Sequence, residues 1–217
     1  MDLTYDEHAR AMDRMYRYQR YIYDATRRYY LPGRDRLIHR LHPPAGGTVL
    51  EIGCGAGRDL IRAALRYPSA RFCGCDISTE MLKSAGAAIE KASLADRVRV
   101  AWGDATSFNA NATFGCSKFD RIFFSYAVSM IPAWDDAIAH ALELLTPQGQ
   151  LHLIDFGQCE RWPAFARRSL VEWLKLFGVK PRAEFEHELR GQAAIRNVPL
   201  SYTTLYRGYA AYVVLGV

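Results

Sequence analysis

The sequence predicts one α/β domain, built on a mostly parallel sheet that ends in an antiparallel hairpin. Three observations predict it. From Thr48 onward, short β-rich runs alternate with segments of helical periodicity, a pattern that gives parallel strands covered by helices on both faces. The first β run stops in a cluster of glycines and is followed at once by a helical pattern. The last two β-like runs are separated only by Tyr206-Arg207-Gly208, close enough to pair as a hairpin.

Taken in order, Thr48–Ile52 is the first strand, and Arg58 to Arg66 carries apolar residues at helical spacing (Leu60, Ile61, Ala64, Leu65). Arg71 to Cys75 is the second strand, ending at Asp76. Thr79 to Ala92 follows as a helix with Ser78 as its N-cap. Val98 to Trp102 alternates as a third strand and runs into Gly103-Asp104; Phe119 to Phe124 is a fourth. Trp134 to Leu145 is helical, Pro147-Gln148-Gly149 turns the chain, and Gln150 to Ile154 is a fifth strand. Leu200–Leu205 and Tyr209–Leu215 form the hairpin. Outside this core lie a helical region at 7–31, rich in Arg and Tyr and stopped by Pro32-Gly33, and one or two helices at 161–190. The chain of 217 residues suits one domain. It divides into an N-terminal helical cap (1–44), a core (45–160), a helical segment (161–199) and the hairpin (200–217).

Composition narrows the class. No apolar run is long enough to cross a bilayer, and Tyr209 to Val217 falls far short. The N-terminus opens with Asp2, Asp6 and Glu7 and has no apolar signal-like run, so a cytoplasmic protein is expected. The five cysteines, at 54, 73, 75, 116 and 159, are odd in number and scattered. Cys73 and Cys75 share a strand face, but no second pair completes a metal site, so no metal is expected. The net charge of +5 is uneven: +3 over residues 1–40, −3 over 41–160, +4 over 161–196, with Arg207 adding one. Basic flanks suit phosphates or an anionic membrane surface, or they are ordinary solubilising charge. With no RNA-binding module and no basic-aromatic run on a sheet face, nucleic acid is not expected as a partner.

The chemistry gathers at the glycine turn Glu51-Ile52-Gly53-Cys54-Gly55-Ala56-Gly57. Such a turn lets the backbone pass close to a ligand and aims helix N–H groups at it. The third glycine comes early and position 58 is Arg, so the dinucleotide fingerprint is not met. Glu51, at the strand end, suits a cationic ligand better than a pyrophosphate. Two more acids close successive strands. Asp76 is placed to accept ribose hydroxyls, and Asp104 to accept an adenine amino group. Acids also favour helix N-termini for dipole reasons, but three at successive strand ends beside this turn point to a ligand site. S-adenosylmethionine, a sulfonium with an α-ammonium and no phosphate, fits that set.

Val49 to Gly57 resembles motif I of the class I methyltransferases, and Asp76, Gly103-Asp104-Ala105, Phe119-Asp120 and Leu145-Thr-Pro-Gln-Gly149 resemble their later motifs. The resemblance covers about 45–155 and the hairpin. It implies a Rossmann-like fold, a mostly parallel seven-stranded sheet with added N-terminal helices. It implies S-adenosylmethionine as cofactor, leaving as S-adenosylhomocysteine, and cofactor contacts at Glu51, Gly53, Cys54, Gly55, Gly57, Asp76, Ile77, Met81, Gly103, Asp104, Ala105 and Ser125. Tyr126 would line the site near the methyl group, as catalytic or substrate-binding residue. Tyr23 would close over the cofactor, by similarity to relatives with an N-terminal Tyr.

The segment Tyr18 to Leu37 is similar to the N-terminal segment of lipid-amine methyltransferases, most closely to bacterial diacylglyceryl-homoserine N-methyltransferases, which make betaine lipids. The resemblance implies an enzyme that meets its lipid at an anionic bilayer surface on the inner face of the membrane. Phosphatidylethanolamine N-methyltransferases and quinone-ring C-methyltransferases share looser features. A cofactor-binding partner subunit without activity is the alternative of another class. Arg28 or Arg34 would pair with a carboxylate of substrate or cofactor, or serve as surface charge. Methyl transfer is an in-line displacement that asks the protein chiefly for alignment and for a route for one proton. Tyr23, Tyr126, His152 and Asp155 are the base candidates, with His152, mid-strand, better suited to the core.

Overall fold

A computed structural model describes residues 31–216. Tyr23 and Arg28, like all of the helical region expected at 7–31 except Leu31, lie outside the described residues. The strands are β1 Thr48–Ile52, β2 Arg71–Asp76, β3 Val98–Trp102, β4 Phe119–Ser125, β5 Leu145–Phe156, β6 Leu200–Leu205 and β7 Ala210–Gly216. The helices are α1 Arg34–Arg40, α2 Arg58–Arg66, α3 Thr79–Lys91, α4 Ala110–Phe114, α5 Trp134–Glu143, α6 Ala164–Lys175 and α7 Phe185–Arg196. One seven-stranded sheet has the order β3-β2-β1-β4-β5-β7-β6. Its first five strands run parallel, and β7 pairs antiparallel with both β5 and β6. The expected α/β class and the closing antiparallel pair are both present.

Strand alternation builds the core. Val49, Phe123 and Ile154 join one apolar cluster with Leu37, Leu60, Ile89 and Leu174, while their neighbours Leu50, Phe124 and Leu153 join a second with Phe114, Ile138 and Leu189. Parallel strands buried on both faces need this unbroken apolar run.

One local expectation is corrected, and one segment gains a second role. Pro147-Gln148-Gly149 does not separate helix from strand, because β5 already begins at Leu145. Leu145 pairs with Phe119 and Gln150 with Arg121, so the residues between form a wide bulge in β5. Pro32-Gly33 precedes a helix as well as following a segment: Gly33, at φ 87, is the N-cap of α1. A Cβ there would stand 2.6 Å from Ile154 Cδ1, so glycine lets α1 lie close against β5. The short helix α4, capped by Asn109 accepting from Ala112 N–H, carries too little periodicity to be read in advance.

With β1 flanked by β2 and β4, the chain leaves the sheet centre in opposite directions after these strands. The carboxyl ends of β1 and β4 therefore open a crevice, the place where such sheets bind ligands.

Candidate active site

The turn after β1 is tied down by backbone bonds. Gly53 and Cys54 N–H groups both donate to the Cys75 carbonyl (2.9 and 3.0 Å), and Gly57 N–H donates to the Cys54 carbonyl. Gly53 sits at φ 74, and a Cβ there would lie 2.6 Å from Ala127 Cβ. Only a glycine lets the turn pass that close to the loop after β4. Gly57 is the left-handed N-cap of α2, facing Ala85 of α3. Cys54 is buried, its Sγ against Gly74, and burial with the nearby Asp76 pushes the thiol pKa up. Its side chain packs, while its backbone shapes the turn.

Asp76 stitches two elements together. One carboxylate oxygen accepts from Gly55 N–H at 2.7 Å and the other from Ser78 N–H at 2.9 Å. Ser78 caps α3 by accepting from Met81 N–H. Met81 is buried among Ala56, Met130 and Phe177, which joins the glycine turn to the chain after α6. At the end of β3, Gly103 N–H donates to the Asp76 carbonyl, and Asp104 accepts from the Thr106 N–H and hydroxyl through one oxygen. Ala105 follows on this turn, partly buried. The Ile77 carbonyl accepts from Trp102 Nε1 at 3.0 Å, with the indole about half exposed at the rim. Trp102 was not singled out in the sequence, where it reads only as the last residue of a strand.

The centre of the crevice is acidic. Glu51 is 2% exposed, and burial, then the neighbouring Asp59, raises its pKa well above the usual carboxylate range, with Arg34 opposing. Asp59, on the first turn of α2, is buried as well. Arg34 Nε stands 3.2 Å from it, and Ser125 Oγ donates to it at 2.7 Å. Glu51 Oε2 and Asp59 Oδ1 have no hydrogen-bond partner among the described residues. Arg34, Glu51, Gly53, Cys54, Ala56, Arg58, Asp59 and Ser125 line a cleft of about 270 Å³. Asp59 is ion-paired with Arg34, and each of the two buried carboxylates keeps a bare oxygen among the described residues. Such a pair favours a further cationic donor. Asp59, like Trp102, is a residue that sequence reasoning missed.

The base candidates fare differently. Tyr126, at φ 56, donates its hydroxyl to the Pro32 carbonyl at 2.6 Å and packs edge-on against Phe156 at 4.9 Å. Burial pushes its pKa up, so the phenol holds its proton and its place is a tether between β4 and α1. His152 is buried, with Nδ1 2.8 Å from the Tyr212 hydroxyl, and burial pushes its pKa down to about 3. It is a neutral core residue. Asp155, at the end of β5, accepts from Ser129 N–H (3.0 Å) and Phe156 N–H (2.7 Å), and burial raises its pKa to about 6. It fixes the 3₁₀ turn Val128–Met130 that follows β4. Among the described residues no group of three His, Cys, Asp or Glu side chains is placed to hold a metal.

S-adenosylmethionine fits these residues. Its α-ammonium would supply the donor that Glu51 Oε2 and Asp59 Oδ1 lack, and the glycine turn would give the close backbone approach that a Cβ would fill. The comparisons agree. A family model described as a methyltransferase domain matches residues 49–149. The chain is 31% identical over 118 residues to the ubiquinone/menaquinone biosynthesis C-methyltransferase UbiE of Paracoccus denitrificans, covering 54% of this chain and 46% of that protein. It is 31% identical over 134 residues to the nocamycin O-methyltransferase of Saccharothrix syringae, covering 61% and 46%. The chain thus spans about half the length of the curated relatives it matches. A SAM-dependent methyltransferase from Aquifex aeolicus shares the fold, with TM-score 0.65 at 17% identity over 90% of this chain and 95% of that one. The matched segment contains the glycine turn and the strand ends carrying Asp76, Asp104 and Ser125, so over residues 49–149 this chain is similar to a methyltransferase domain.

Proposed function

We propose that the protein moves a methyl group from S-adenosylmethionine to a carbon or oxygen nucleophile of a small organic acceptor of the quinol or phenol kind. The observation that carries the cofactor half is the pair of bare, buried carboxylate oxygens on Glu51 and Asp59 beside the glycine turn. The acceptor half is supported by the relatives, whose names describe C- and O-methyltransferases. Bound here, S-adenosylmethionine supplies an electrophilic methyl on a sulfonium leaving group. Glu51 and Asp59 would accept from the ammonium, with Arg34 holding Asp59 in place. Asp76 would accept from the ribose hydroxyls in exchange for Gly55 N–H, and Ile77, Trp102 and Asp104 stand where the base would lie. Ser125 and the turn held by Asp155 would face the transferred methyl. The protein's contribution is alignment.

N-methylation of diacylglyceryl-homoserine is the second reading. One observation favours it: α6 exposes Phe165 and Leu176 beside Arg168 and Lys175, which suits an acceptor held in a bilayer.

One assay separates the readings. Purified protein is given methyl-labelled S-adenosylmethionine with a demethylated quinol, a catechol, or diacylglyceryl-homoserine and phosphatidylethanolamine in anionic liposomes. Label on the quinol or catechol is the expected result. Label only on the homoserine lipid would replace the first reading with the second. Tight S-adenosylhomocysteine binding without label on any acceptor would make the protein a cofactor-binding partner subunit.

A further inference from the structure

We infer that α6 docks the protein on an anionic bilayer surface, with Phe165, Trp173 and Leu176 reaching the boundary between head groups and acyl chains. The inference holds whichever acceptor is methylated.

Helix α6 has two unlike sides. Leu174 is buried, and Leu170 and Val171 are half-buried; these line a cleft of about 110 Å³ with Phe156 and Tyr209 at the end of the sheet. The outward side is where a water-facing helix carries polar groups. Here Phe165 is 77% exposed, Leu176 72% and Trp173 36%. These are three of the seven exposed large apolar side chains among the described residues, gathered on one helix and its C-cap. Phe165 and Leu176 are three helical turns apart and fall on one stripe. Glu172 shares that stripe, but Lys175 Nζ meets its carboxylate at 2.7 Å.

Charge selects the occupant. Arg168 and Lys175 are exposed on α6, Arg161 and Lys180 are exposed on the chain just before and after it, and the only acid from 161 to 180 is the paired Glu172. An apolar stripe inside a basic frame fits anionic head groups over an acyl boundary. A second copy of the chain fits poorly, because a two-fold contact through α6 would bring the Arg168 and Lys175 of one copy against those of the other. No helix among the described residues is long and apolar enough to cross a membrane. Phe177, just beyond the helix, packs on Met81, which also packs on Ala56 of the glycine turn, so α6 is joined to the cofactor cleft through two side chains.

The test is co-sedimentation of the full chain with vesicles of phosphatidylglycerol and phosphatidylcholine in equal parts, and with phosphatidylcholine alone. The wild type should sediment with the anionic vesicles and stay in the supernatant with the neutral ones. Phe165→Ser/Leu176→Ser should lose most of the binding. Arg168→Glu and Lys175→Glu should each weaken it roughly fivefold or more. All variants should keep the wild-type affinity for S-adenosylhomocysteine, which reports an intact fold and cofactor site. Equal sedimentation with both vesicle types, or variants that still bind, would overturn the inference. So would sedimentation velocity showing a wild-type dimer that these substitutions split.

Discussion

At the residue scale, the site is built from groups that cost the fold something. Glu51 lies in the core with a bare oxygen and a raised pKa, an arrangement that burial alone would not favour. Glu51→Gln keeps the shape and removes the buried charge. S-adenosylhomocysteine affinity should fall about tenfold or more, as for loss of a charged hydrogen bond. The melting temperature should hold or rise. Titration calorimetry and thermal denaturation read the two effects, and a fall in both would make Glu51 a structural residue. Asp155 is the second such case. Its pKa of about 6 lies above the usual 3.8. The folded state therefore binds the proton more readily than the unfolded one, and Asp155 costs stability above pH 6 that is recovered as pH falls toward 4. His152, depressed to about 3, works the other way, costing stability as pH falls below its usual 6.5. Comparing wild type with Asp155→Asn cancels His152. Wild type should gain on the variant by several degrees between pH 7.5 and 5. A constant difference across that range would remove Asp155 from the titration. Glu51, Asp76 and Asp104 were legible in the sequence because each follows a β run. Asp59 was not, since an acid on the first turn of a helix is ordinary by itself, and only the fold brings Glu51, Arg34 and Ser125 to it.

At the element scale, local chemistry was legible where it acts locally. Ser78 caps α3 as its sequence context predicts. Ser78→Ala removes the acceptor for Met81 N–H and should cost about 1 kcal/mol in urea denaturation. Because α3 begins beside Asp76, cofactor affinity should fall with it. A stability loss with unchanged affinity would separate the cap from the site. Elements set by distant partners were misread. Pro147-x-Gly149 has every mark of a turn, yet Phe119 on one side and the antiparallel partner β7 on the other draw it into β5 as a bulge. Gly149 fits because a Cβ would stand 3.0 Å from both Leu145 and the Phe119 carbonyl. Tyr126 shows the same limit. Its position after β4 was readable, but its bond to Pro32 depends on where α1 lands.

At the scale of the whole molecule, the sheet order decides what the terminal hairpin is for. By sequence it is the last piece added to an αβ alternation and has the look of an appendage. In space β7 lies inside the sheet, paired with β5 from Gln150 to Phe156 on one side and with β6 on the other. It covers the edge of the strand that carries Asp155, so it supports from behind the turn after β4 that Asp155 holds. Leu215 and Leu200 face each other in the hairpin register, but Leu215 is fully buried while Leu200 is half-buried on the edge strand. If the hairpin closes the core, Leu215→Ala should cost about 2–5 kcal/mol, and Leu200→Ala clearly less. An appendage would give small and similar losses at both positions. Urea denaturation of the two variants, followed by far-UV circular dichroism, distinguishes these outcomes. Loss of cooperativity in the Leu215 variant alone would also show that β5, and Asp155 with it, depends on the hairpin for its place.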